Sequence, residues 1–146
     1  MSMSNASETA LLNLLFNNTD WANVGDAAGL QKSAAAGSFY VALHTADPTD
    51  AGNQTTSEAS YTGYARVAVA RTGGGWTVSG NQVSNTATVQ FGECTAGSAT
   101  VTHFSVGLLA SGAGDILYSG ALSASRAVSA GITPLFNPAT LVGTVD

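Results

Sequence analysis

The chain has 146 residues, the length of one ordinary domain, and only 9% of them are charged where an average soluble protein carries about 25%. Its net charge is −5 and its four cations, Lys32, Arg66, Arg71 and Arg126, do not cluster, which excludes nucleic acid bound by phosphate neutralisation. The lone Cys94 excludes an intrachain disulfide, and no apolar run reaches the length of a membrane span.

In chain order, the first predicted element is a helix. Asn5 is a candidate cap with Glu8 three residues on, and Leu11, Leu12, Leu15 and Phe16 recur at three- and four-residue spacing. Asn17-Asn18-Thr19-Asp20 ends it. So short a helix is marginal alone, so its apolar stripe must lie on its own sheet or on a neighbouring chain. Leu11, Leu12, Leu15 and Phe16 are therefore candidate partner-binding residues. The opening lacks a positive n-region, so no secretion signal is expected and synthesis in the cytoplasm is the simpler expectation. From Asp20 to Gly37 the pattern is irregular and reads as a structured loop.

After Gly37 short runs rich in Val, Phe, Tyr and Thr alternate with turn residues, the habit of strands. Strands are predicted at Phe39–Thr45, Tyr64–Arg71, Trp76–Val78, Thr86–Phe91, Thr100–Leu109, Asp115–Ser119, Arg126–Ser129 and Leu141–Val145. A polar connection with Pro48 and Gly52 separates the first two. Ala, Gly, Thr and Ser number 25, 17, 17 and 16, a composition suited to turns and tightly packed strands. Many short strands without intervening helices predict two packed antiparallel sheets: an all-β sandwich, jelly-roll-like, with a short N-terminal helix. The expected organisation is one domain, 1–146, comprising a helical arm (1–18), a loop (19–38) and the sandwich (39–146). No fixed-period repeat supports a solenoid or a repetitive shaft.

Chemical signals are weak. With 16 serines and two histidines, a Ser-His-Asp set can be assembled anywhere on paper, and no Gly-x-Ser-x-Gly elbow exists. His44 and His103 lie in predicted strands and read as packed or hydrogen-bonded residues. Asp47, Asp50 and Glu58 lack the density and spacing of a calcium loop. Thr72-Gly73-Gly74-Gly75 has no Lys and leads into a strand, so it reads as a hairpin connection rather than a phosphate loop. Neither metal nor cofactor is expected. Trp21, Trp76, Tyr61 and Tyr64 are candidates for stacking on a sugar or for packing in the core, and of these Tyr61-Thr62-Gly63-Tyr64 reads as a surface turn.

At Phe39-Tyr40-Val41-Ala42-Leu43-His44-Thr45-Ala46-Asp47-Pro48-Thr49-Asp50-Ala51-Gly52, followed by Gly63-Tyr64-Ala65-Arg66, the chain resembles a family of small tailed-phage and prophage virion proteins. The Leu-rich opening, Val101-Thr102-His103-Phe104, Ile116 to Leu122 and Leu141 to Asp146 extend the resemblance over nearly the whole chain. Members are labelled tail fibre proteins, or are similar to capsid decoration and cement proteins. The resemblance implies a virion structural protein with no catalytic residues and no small-molecule substrate. A low-charge surface can be buried against neighbours without desolvating many ions. The expectation is thus a decoration protein on the outer surface of the phage head, bound to the major capsid protein and to itself as a homotrimer. The alternative is a tail fibre or tail-tip module that recognises a host glycan through the Tyr61–Tyr64 turn.

Overall fold

The computed structural model describes residues 2–25 and 28–146. In chain order its elements are α1 (Asn5–Phe16), β1 (Ser38–His44), β2 (Val67–Ala70), β3 (Trp76–Ser79), β4 (Gln82–Asn85), β5 (Val89–Gln90), β6 (Ser98–Gly107), β7 (Ile116–Ser129), β8 (Leu135–Phe136) and β9 (Val142–Thr144). They form a four-stranded sheet in the order β2-β1-β6-β7, a three-stranded sheet β3-β4-β9 and the pair β5-β8. The fold is all-β with one N-terminal helix, as the strand-like runs imply.

The chain divides into two compact units, each discontinuous in sequence. The first holds residues up to Ser38 with Ala70–Thr88 and Phe136–Asp146. Here α1 lies on β3 and β4. Its cap is Ser4 rather than Asn5: the Ser4 side chain accepts from the Ser7 amide, one residue earlier than the Asn5/Glu8 pattern suggests. Phe16 meets Trp76 edge to face, centroids 4.9 Å apart, and Leu12, Phe16, Trp76, Val83 and Leu141 are all buried. β4 runs antiparallel to β3 (Trp76↔Asn85) and to β9 (Val83↔Gly143). Asn85 ties this corner together: its amide nitrogen donates to the carbonyls of Ala87 and Asn137, and its oxygen accepts from the amides of Thr140 and Leu141. All four bonding positions of a buried amide are thereby used.

The second unit holds Phe39–Val69 and Val89–Leu135. β1 pairs antiparallel with β6 (Val41↔Val106), and Phe39, Val41, Ala42, Leu43, Val101 and Val106 form its buried layer. β6 pairs in turn with β7, and the loop 108–115 joins them. Several expected elements differ. The strands expected at Asp115–Ser119 and Arg126–Ser129 merge into the single 14-residue β7, which starts at Ile116: Gly120 and Ala121 extend the ladder with β6, and it resumes at Arg126 after the bulge Leu122–Ser125. Thr86–Phe91 contracts to Val89–Gln90, and Gln82–Asn85 pairs ahead of it. Tyr64–Arg71 contracts to Val67–Ala70, since Tyr64 and Arg66 turn their polar groups onto Glu58. Thr72–Gly75 is a turn, closed by the Gly75 amide on the Thr72 carbonyl, but it leads from one sheet to another and is not a hairpin.

Candidate functional site

The four helical candidates separate into two kinds. Leu12 and Phe16 are completely buried in their own unit, whereas Leu11 and Leu15 are half-buried. The apolar stripe is thus largely consumed by β3 and β4. No basic residue of the helix faces its carbonyl end; Arg71 supplies the charge from 55 residues beyond Phe16, donating to the carbonyls of Leu14 (2.9 Å) and Leu15 and to that of Ala36 (3.1 Å). A cation there also suits the negative end of the helix dipole.

The second candidate set lies in the other unit. Gly63 permits the Tyr61–Tyr64 turn, with φ +99° and a position where a Cβ would stand 2.1 Å from the Glu93 carbonyl oxygen. The turn is on the surface, as its sequence suggests, but its rings face inward. Tyr61 is 4% exposed and its hydroxyl donates to the Gly92 carbonyl, while Tyr64 stacks on Phe91 with the planes 8° apart. The Tyr64 hydroxyl donates to Glu58 Oε1 (2.9 Å) and accepts from the Leu43 amide (3.1 Å). Burial pushes the pKa of that phenol up, so it stays protonated.

Glu58 is gripped by Arg66 through two 2.7 Å bonds, Nε to Oε1 and Nη2 to Oε2. Arg66 also donates to the carbonyls of Leu109 (2.9 Å) and Gly112 (2.8 Å), fastening the loop 108–115. The Arg66 side chain is 2% exposed. Its pKa is raised, chiefly by the bonds to Glu58. A cleft of about 390 Å³ opens over this group, lined by Ser60, Tyr61, Tyr64, Ala65 and Ser111 among others. Its charged groups are engaged with each other and with backbone.

Beside it, His44 is fully buried. Thr56's carbonyl, 2.8 Å from Nδ1, can only accept, so Nδ1 carries the hydrogen and Nε2 accepts from the Ser105 hydroxyl at 2.8 Å. Burial lowers its pKa. This Ser-His contact is shut away from solvent and reads as a packing device. His103 contacts Thr102 and stands 4.0 Å from Asp47, across a polar cleft of about 370 Å³ that Asp50 also lines. Glu58 is committed to Arg66, and Asp47 accepts from the Thr49 amide. Among the described residues no three His, Cys, Asp or Glu side chains gather as a metal site, and no helix is long and apolar enough to cross a membrane.

The family described as Podophage GP4 fiber I protein gp80 matches residues 2–144, essentially the whole chain. The chain belongs to that family. It is a phage virion structural protein, and no curated protein matches it. In this fibre-family protein the segments that carry the resemblance have structural work. Phe39–His44 is β1, and Tyr64 and Arg66 anchor Glu58 against the Leu43 amide and the loop 108–115. Sequence reading missed the Glu58–Arg66 pair and Gln54. Gln54 is fully buried, bonding the Tyr40 carbonyl and the Leu109 amide, in space left by Gly107 and Gly114. The only available signal was an Arg eight residues from a Glu in a chain with few charges.

Proposed function

We propose that this protein is a non-catalytic component of a phage fibre, working through contacts with other virion proteins and with copies of itself. The observation that carries this reading is the family match over residues 2–144. The internal chemistry supports it: in the larger cleft Glu58, Arg66 and Tyr64 satisfy one another or backbone groups, and the buried His44 is taken up by the Thr56 carbonyl and the Ser105 hydroxyl. Glycan stacking on Tyr61 is disfavoured, because its ring is covered.

Decoration of the head, with the major capsid protein as partner, is a second reading that draws on the low surface charge. The two differ in number and place. Immunogold electron microscopy of virions, with quantitative gels, tests them. A fibre component labels the tail region at few copies per particle; label spread over the head at hundreds of copies would establish decoration instead, and absence from virions would end both.

A further inference from the structure

We propose that the outer edge of β7 is where a second copy of this chain adds, strand to strand and antiparallel. The inference rests on the reading of the protein as a self-associating virion component, and it names the surface. Since α1 spends Leu12 and Phe16 on its own core, self-association needs another surface.

β7 is the outermost strand of the four-stranded sheet. It is 14 residues long, far above the usual five or so, whereas the opposite edge, β2, has four. Free edges are ordinarily blunted by shortness, by Lys or Pro, or by bulges. β7 contains no Pro, Lys, Asp or Glu, and Arg126 is its one charge. Its ladder with β6 shifts register twice, at Leu117 and where Leu122 to Ser125 lie opposite Thr102, and between the two shifts Tyr118–Ala121 pairs regularly. Ser119, Ala121, Ser123, Ala124, Ser125 and Ala127 are exposed, and their small side chains let a neighbouring strand approach.

Charge placement selects the occupant. Asp115 precedes β7 and Arg126 lies near its far end, both exposed. A second copy running antiparallel along Tyr118–Ala121 sets each strand's acidic end toward the partner's cationic end, with no charge inside the paired run. A parallel copy would set like beside like. The edge is self-complementary about a two-fold axis.

Sedimentation velocity on the purified full chain, over a range of concentrations, tests this. Wild type is expected to self-associate. The double variant Ser119→Lys/Ala121→Lys should be monomeric with an unchanged melting temperature. Arg126→Glu should associate about tenfold more weakly, and adding Asp115→Arg should restore the affinity by exchanging the two ends. A monomeric wild type overturns the proposal, as does an Arg126→Glu variant with wild-type affinity. Oligomers that persist in the folded lysine variant also overturn it, and would move self-association to another surface without touching the virion assignment. That assignment is decided separately by immunogold labelling.

Discussion

The guanidinium of Arg71 donates to the carbonyl of Leu14 over 2.9 Å, joining residues 57 apart in sequence, and closes the C-terminal turn of α1. The same side chain bonds the carbonyls of Leu15 and Ala36, so one residue both caps the helix and fixes the loop that follows it. Arg71→Ala should cost about 1–2 kcal/mol in denaturant unfolding and lower helical circular dichroism, because orphaned carbonyls at the negative end of a helix lose a cation. An unchanged midpoint would show that solvent caps the helix equally well.

Leu12 and Leu15 distinguish core from surface on one helix. Leu12 is 0% exposed, so Leu12→Asp buries an unpaired charge and should destabilise by about 4 kcal/mol or more. Leu15, half-buried, should tolerate the same change with a loss of about 1–2 kcal/mol. Thermal melts of the two variants provide the comparison, and equal effects would contradict the helix orientation.

Arg66 and Glu58 form a pair whose cationic member is almost wholly enclosed. Removing one partner leaves the other's bonds unmade, so Arg66→Ala should cost about 3 kcal/mol or more. Arg66→Lys should recover little, since an ammonium cannot reproduce the bidentate grip or reach the Leu109 and Gly112 carbonyls together. Urea midpoints of the two variants should therefore lie close together and well below wild type.

Gly107 exists as glycine because of Gln54: a Cβ there would stand 2.2 Å from the Gln54 side-chain carbon Cδ. Gly107→Ala should destabilise by about 2 kcal/mol through overpacking. In the double variant with Gln54→Ala, the alanine should cost much less than it does alone, giving a clear coupling energy in a double-mutant cycle. Additive costs would mean the two positions do not contend for the same space.

His44 makes stability depend on pH. Burial holds its folded pKa below the ordinary 6.5, so between those two values the unfolded chain binds more protons than the folded one. Its contribution is complete above about pH 6.5 and is lost as pH falls toward the folded value, at up to about 1.4 kcal/mol per pH unit. Melting temperatures of wild type and His103→Gln should both fall from pH 7 to pH 5, whereas those of His44→Gln should fall less. Identical profiles for the two variants would place the titration elsewhere.

Much of this protein was legible in its sequence. The three- and four-residue recurrence of Leu11, Leu12, Leu15 and Phe16 gave the helix, and the Val-, Thr- and Tyr-rich runs gave the all-β class, because both signals come from periodicities that neighbouring residues impose on the backbone. The motif around Phe39 to Gly52 and Gly63 to Arg66 gave the virion family. What only the tertiary structure decided were relations between distant residues: Arg71 capping a helix that ends at Phe16, Asn85 binding the segment before β9, Glu58 turning to Arg66, and Tyr61 folding its ring inward. A side chain's partner in such cases is chosen by where the sheets bring the backbone together. That choice depends on long-range packing and polar satisfaction, which no local pattern of residue types encodes.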